Sequence, residues 1–299
     1  MGKKVLAIYY SQSGQLGEII GRFCAPLAEA GAVVETVRIR MADEFPFPWT
    51  TKSFFSVMPD CVLGNTAELA PFHLLAERYD LIVLGYQAWF LSPSIPFTSL
   101  LQDAAFAGVL KDTPVITVTG ARNMWVTAFG RVKKLLRAAG ARHVGTIALV
   151  DRHLNLVSIF TIFHWMLRGR KDRWLGFFPR PGVADADIGR TREWGSLTAP
   201  YLFSGDWEGL QPELVRKRAA DPKHHLLFME SKAAILFGIW ARWISRRKKK
   251  QVWLVAFKYY LLIALFVFAP IVFIIDLFIF RPFFPGMVKS KREACLQLN

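Results

Sequence analysis

The sequence predicts an α/β fold, a doubly wound parallel sheet, followed by a C-terminal hydrophobic helical region that associates with a membrane. Three observations predict it. Short apolar runs alternate with stretches of helical periodicity through the first half of the chain, the pattern of strands buried on both faces by crossover helices. The first run, Val5 to Tyr10, breaks directly into Ser11-Gln12-Ser13-Gly14-Gln15-Leu16-Gly17, as an anion-binding turn at a helix N-terminus does. Far downstream, Tyr259 to Ile275 is seventeen residues without a charge.

The elements follow in order. After the strand at 5–10, Ile19, Ile20 and Phe23 mark a helix over about 15–30, closed by Gly31. Val33 to Ile39 reads as the next strand, followed by an irregular aromatic segment. Asp80 to Tyr86 is a fully buried strand, 96–110 a helix, and Thr113 to Thr119 another buried strand. Arg131 to Ala139 is a basic helix ended by Gly140, and Thr146 to Val150 closes the series. Ligands of such folds sit outside the carboxyl ends of the strands.

The loop after the first strand suits a phosphate. Ser11 and Ser13 offer hydroxyls, Gly14 and Gly17 let backbone approach closely, and the helix dipole favours negative charge at the same spot. The Walker and dinucleotide glycine patterns are both absent. The run Ser11 to Leu16 resembles the Ser/Thr-x-Ser/Thr-Gly-x-Thr phosphate loop of flavodoxins, with Leu16 where that pattern ends in Thr. A backbone N–H or the Gln15 amide then has to stand in for the missing hydroxyl. The resemblance implies a flavodoxin-like sheet of order 2-1-3-4-5 and FMN as cofactor.

At the other strand ends, Tyr86-Gln87-Ala88-Trp89-Phe90 and Gly120-Ala121-Arg122-Asn123-Met124-Trp125 place aromatics and an Arg-Asn pair on the edge that carries the serine loop. An isoalloxazine ring needs stacking faces, here Tyr86, Trp89 and Trp125, and donors along its polar edge, here backbone N–H groups, Asn123 and Arg122. Each residue singly has a plain packing or capping role; jointly they favour flavin.

Four segments carry a narrower likeness: Ser11 to Leu16, Phe45-Pro46-Phe47-Pro48-Trp49, Gln87 to Ser94 and Gly120 to Trp125. They resemble the flavodoxin-like proteins of dialkylresorcinol biosynthesis, called dialkylresorcinol condensing enzymes, over residues 1–180. The resemblance implies an FMN protein that works beside a ketosynthase partner and aromatises its cyclohexanedione product to a resorcinol. By matching positions, Ser11, Ser13, Gly14 and Gln15 would hold phosphate, with Ala88, Trp89 and Phe90 and the run Arg122 to Trp125 flanking the ring; Leu16, Gln87 and Gly120 complete the expected cofactor-binding set.

Condensation needs a cysteine nucleophile with a histidine partner, and none of Cys24, Cys61 and Cys295 sits in such a setting or shows metal-ligand spacing. Aromatisation asks for a flavin and a base. Arg122 is the candidate anchor for substrate oxygens, and Asp151 and His153, following the last strand, are the candidate bases; either also reads as a solvated loop residue. His164 reads as a packed helical histidine.

Domain organisation follows from composition. Residues 1–180 form the FMN-binding domain, with Leu154 to Leu167 either a cover over the pocket, an element dipping into a membrane surface, or a buried helix. Residues 181–223 read as linker and capping elements, 224–250 as an amphipathic, basic juxtamembrane helix, 251–281 as a transmembrane or re-entrant segment bent at Pro270, and 282–299 as a basic tail. Mean hydropathy is +0.28, high for a soluble protein. Of the net charge of +15, residues 242–299 hold +9, with 11 Lys/Arg against 2 Asp/Glu. The block Arg242 to Lys250 belongs on the cytoplasmic face of the inner (plasma) membrane beside anionic lipid. Its apolar flanks argue against nucleic acid. A soluble chain would have to bury the tail in a homodimer interface. The expected function is thus FMN-dependent aromatisation of a lipophilic substrate at the membrane. The alternatives are a membrane-bound electron carrier or NAD(P)H:quinone reductase, and a cofactor-free scaffold tethering the ketosynthase.

Overall fold

The computed structural model describes residues 2–298. Five parallel strands form the sheet: β1 (Lys4–Tyr9), β2 (Val33–Arg38), β3 (Leu81–Tyr86), β6 (Pro114–Ala121) and β7 (Arg142–Val150), with β4 (Ala88–Trp89) and β5 (Ser92–Pro93) forming a separate small hairpin. Their order is β2-β1-β3-β6-β7. Counting the five sheet strands alone, this is the 2-1-3-4-5 order of a flavodoxin-like fold, with its switch point between β1 and β3. Leu6 pairs with Ile82 and Ile82 with Val115, so the central strands share one register of buried aliphatic rungs.

Strand alternation sorts the core into two layers. Val5, Ala7, Leu81 and Val83 face α1 (Gln15–Glu29) and α8 (Asp185–Ser204). Leu6, Ile8, Ile82, Leu84 and Tyr86 face α4 (Ile95–Gln102), α5 (Ala104–Leu110) and α6 (Val126–Ala138). The expected single helix over 96–110 is two, because Asp103 is extended and its carboxylate accepts the Phe106 N–H at 2.8 Å, capping a fresh start.

The aromatic segment expected to be irregular contains α2 (Thr51–Ser56) and α3 (Met58–Leu63). A reciprocal Thr50/Ser53 capping box starts α2. Residues 181–223, expected as linker and capping elements, contain two helices. Trp194 and Leu202 of α8 lie in the same buried cluster as Ile19 and Phe23. At the crossing of α8 with α1, a Cβ on Gly195 would stand 2.0 Å from the Phe23 carbonyl oxygen, so only glycine fits. A shorter helix, α9 (Leu210–Arg216), covers β7 through Leu210 and Leu214.

Beyond these, α7 (Asn155–Arg168) and α10 (His224–Ser245) lead to a long helix, α11, over Lys250–Phe280. Of the two forms left open for 251–281, the structure does not take the hairpin bent at Pro270: helical structure runs through the proline. A π-helical turn at Ala264–Phe268 precedes the proline, with the Ala269 N–H donating to the Ala264 carbonyl. A last helix, Pro285–Leu296, carries the chain back to the sheet domain, where Leu296 is buried among its side chains.

Candidate functional site

The loop from Ser11 to Gly14 sits at the switch point. Gly14 adopts φ +83°, a conformation only glycine takes without strain, and it starts α1 with no side chain capping the terminus. The first N–H groups of α1 therefore lie open to an anion. Ser11 is buried and its Oγ accepts the Gly14 N–H at 3.1 Å, so it shapes the turn from behind. Gln12, Ser13, Gln15 and Leu16 line the cavity in front. The Gln15 amide does not replace the missing threonine. Its Nε2 donates to the Val183 carbonyl and its Oε1 accepts the Val183 N–H, both at 3.1 Å, which ties α1 to the entry of α8. Sequence reasoning also missed a cation behind the loop: the Arg38 guanidinium donates to the Ser11 carbonyl at 2.8 Å.

The hairpin after β3 aims the aromatics. Phe90 (φ 46°) and Leu91 (φ 60°) occupy its turn in left-handed conformations that cost non-glycine residues strain. The Ser94 N–H to Gln87 carbonyl bond closes the base, and Arg131 donates to Ser92 Oγ and the Val62 carbonyl. Gln87, Ala88, Trp89 and Phe90 all reach the cavity. Trp89 is held edge-on by Trp49 and Phe45, with ring centroids 5.5 and 5.3 Å away.

Two expected stacking residues are elsewhere. Tyr86 is buried with Phe97 on the α4–α6 face, as its parity with Ile82 and Leu84 dictates, and burial pushes its phenol pKa up. Trp125 precedes α6 and packs on Phe129 in that same layer. Gly120 does line the cavity, at a position where a Cβ would stand 2.9 Å from Ile19. Asn123 is buried outside the lining.

Arg122 faces the cavity. Burial lowers its pKa to about 10, opposed by the charges of Asp151 and Glu230. Its Nη1 lies 3.3 Å from Ser158 Oγ. The expected bases are not at the cavity wall. Asp151 is buried and accepts from the His153 N–H at 2.9 Å, with its Oδ1 2.6 Å from His153 Nδ1. Oδ1 thus closes its own turn, while the carboxylate also acts on Arg122. His164 is bonded to Asp172 and stacked on Trp174.

Glu230 is the group sequence reasoning overlooked, although it is the only acidic residue between Asp221 and Asp276. Its carboxylate accepts the Thr127 N–H at 2.8 Å and so caps α6 from 103 residues away. Burial raises its pKa to about 7. Cysteine catalysis has no support in the geometry, since burial raises the Cys24 thiol to about 12 and Cys295 to about 11, and pushes Cys61 up as well. Among the described residues no cluster has metal-ligating character.

The cavity has a volume of about 600 Å³ and extends well beyond the sheet edge. Ile159, Ile162, Phe163 and Trp165 of α7 cover one side, the first of the roles expected for that helix. From α10 come Met229, Ala233, Leu236 and Phe237. From α11 come Leu261, Ala264, Leu265, Phe268, Ala269 and Val272, a spacing that marks one helical face. The alanines leave the room between the helices. Arg122 and Lys232 are the only ionised side chains among the lining residues.

No family model matches this chain, and no curated protein matches it. Several solved structures are similar. A flavoprotein from Lactobacillus acidophilus in complex with FMN is 19% identical, covers 49% of this chain and 93% of its own, and gives a TM-score of 0.39. A putative flavoprotein from Bacteroides eggerthii is 15% identical over 51% of this chain and 91% of that one, with a TM-score of 0.41. A flavone reductase is 13% identical over 70% of this chain and 65% of that one, with a TM-score of 0.37. The flavodoxin-like fold stands on the strand order itself.

Proposed function

We propose that this chain is an FMN oxidoreductase that aromatises a lipophilic cyclohexanedione to a dialkylresorcinol at a membrane surface. The observation that carries the reading is the continuity of this cavity. Its lining runs from Ser13 and the N-terminus of α1, past Trp89 and Arg122, to the apolar faces of α10 and α11. Phosphate, ring, polar head and alkyl chain each find suitable chemistry along one path.

The uncapped N-terminus of α1, Gly14 and the Ser13 hydroxyl would hold the phosphate, and Trp89 would flank the ring. FMN, when bound, supplies a hydride acceptor. The chain's own task is to hold the dione. Arg122 matches paired oxygens and favours the enolate, which carries the charge opposite to its own. Loss of a proton from the ring carbon beside one carbonyl (C4) and of a hydride from its neighbour (C5) would turn the dione into a cyclohex-4-ene-1,3-dione, a tautomer of the resorcinol. The C4 proton would pass to water at the polar end of the cavity beside Gln12 and Ser13, since Asp151 and His153 are absent from the lining. The apolar helices exclude water and would take the alkyl chains, at about 0.8 kcal/mol per buried CH₂.

A quinone reductase using the same cofactor shares the ring site and differs in its electron donor. The test is anaerobic. FMN-loaded protein is mixed with a dialkylcyclohexane-1,3-dione without NAD(P)H. The expected result is bleaching of flavin absorbance with an equimolar yield of resorcinol. Bleaching that requires NAD(P)H and yields no resorcinol would overturn the reading in favour of the reductase, and a colourless protein that takes up no FMN would leave the scaffold.

A further inference from the structure

We propose that α10 and α11 form a monotopic anchor lying in the plane of one leaflet of an anionic bilayer, with α11 crossing nothing. The inference rests on the membrane half of the proposed function and is independent of the flavin half. By length and composition α11 qualifies as a span: 31 residues, mean hydropathy 2.9 in its most apolar window, and 11% of that window buried. Its attachments forbid a crossing. The chain before it, α10, packs on the sheet domain, with Glu230 capping α6 and Phe237 in the cluster that holds Phe55 and Met58. The chain after it returns to the same domain. Gln211 donates to the Leu296 carbonyl at 3.0 Å, Lys133 to the Gln297 carbonyl at 2.6 Å, and Arg292 pairs with Asp221. Both ends of α11 are therefore on one side.

Between those ends α11 lies along the protein. Phe257 packs on Phe55 and Phe237, Phe266 on Phe160, and Phe273 on His225, while Asp276 is buried 2.6 Å from His224. A perpendicular α11 would pull α10, α6 and their charges into hydrocarbon, where ionised groups are expensive. The outer face is apolar and exposed, with Val252, Ile263, Val267, Ile271 and Ile274 on α11 and Ile239 on α10.

Charge selects lipid over a second copy as the occupant. Exposed basic residues flank the long helix in sequence, Arg246 to Lys250 before it and Lys289 and Lys291 after it, Lys289 lying 3.9 Å from Glu293. A second copy laid on it would bring cations against cations in either orientation, whereas anionic headgroups complement both ends. At the first end Arg247 lies over the rings of Trp243 and Trp253, at 5.2 and 5.7 Å, an aromatic and cationic pair suited to headgroup depth.

The experiment places single cysteines before and after α11, Lys249→Cys and Lys291→Cys, each in a Cys295→Ser background, both sites being exposed. Full-length protein is bound to preformed phosphatidylserine/phosphatidylcholine vesicles and treated with a membrane-impermeant maleimide. Both positions are expected to label fully without detergent. Labelling of one position only, with the other requiring detergent, would establish a span and overturn the proposal. Failure to float with these vesicles, with a dimer in solution, would overturn it equally. Ile263→Asp with Ile271→Asp is expected to reduce vesicle binding at least about tenfold; unchanged binding would contradict the assigned face. Flavin content is read in every sample. FMN retained without vesicle binding defeats the anchor alone, and vesicle binding without FMN defeats the flavin reading alone.

Discussion

At one end of the cavity the walls are backbone and short side chains, the turn at Gln12 to Leu16 and Gly120, fixed by a buried parallel sheet. At the other end they are flexible apolar side chains on two helices, with room created by Ala233, Ala264 and Ala269. The loop end is specified by backbone geometry, as in the φ of Gly14, and tolerates little change. The helical end is specified by volume and hydrophobicity, which many sequences satisfy. Selectivity for a phosphate and selectivity for chain length should therefore respond to separate substitutions.

Filling the helical end is the strongest test of that separation. Ala264→Trp combined with Ala269→Trp is expected to abolish turnover of long-chain diones, a loss of roughly 10³-fold or more if the chains must enter there, while FMN content stays at the wild-type level. Loss of FMN as well would show the two ends to be one cooperative unit. Next in size is Arg122→Met, which removes the cation from the junction and leaves Asp151 with one buried counter-charge fewer. A fall of about 10²-fold in kcat/KM is expected from the lost charged hydrogen bonds, measured alongside thermal unfolding to separate catalysis from folding.

The α6–α10 contact gives a pH-dependent effect that tests how firmly the helical end is fixed to the sheet. Glu230 moves from the ordinary carboxylate value of 4.5 to about 7 in the folded chain. Between those values the folded state keeps a proton that the unfolded state has lost, so stability falls as pH rises through that window and levels off above about 7. Unfolding of Glu230→Gln in detergent should lack this slope, a change on the order of 3 kcal/mol. An unaltered slope would place the titration elsewhere. Smallest of all is His153→Ala. The ring lies outside the cavity, and the resorcinol yield in a single turnover should stay within about threefold of wild type; a large loss would restore His153 as the base.

What was legible in the sequence was local. Val5 to Tyr10 followed by Ser11 to Gly14 announces strand, turn and helix within a dozen residues, and the buried runs at 81–86 and 114–119 give the sheet. The start of α6 at Val126 was hidden, because Trp125 supplies no cap and the capping carboxylate comes from Glu230. The directions of Tyr86 and Trp125 were hidden for a related reason. Proximity to a strand's carboxyl end says which edge a residue occupies, while strand parity and helix packing decide whether its ring faces ligand or core. In the same way the apolar run at 251–281 is legible as a long apolar helix, while the return of Leu296 to the sheet domain is a packing fact that no local pattern carries.

The central claim is that the amino-terminal turn grips a phosphate through backbone and hydroxyl groups. It is tested most directly by titrating deflavinated protein with FMN and with riboflavin, which differ only in that phosphate. The account predicts that FMN binds at least about 10²-fold more tightly, as a few hydrogen bonds to a charged group require. Equal affinity for the two would contradict it.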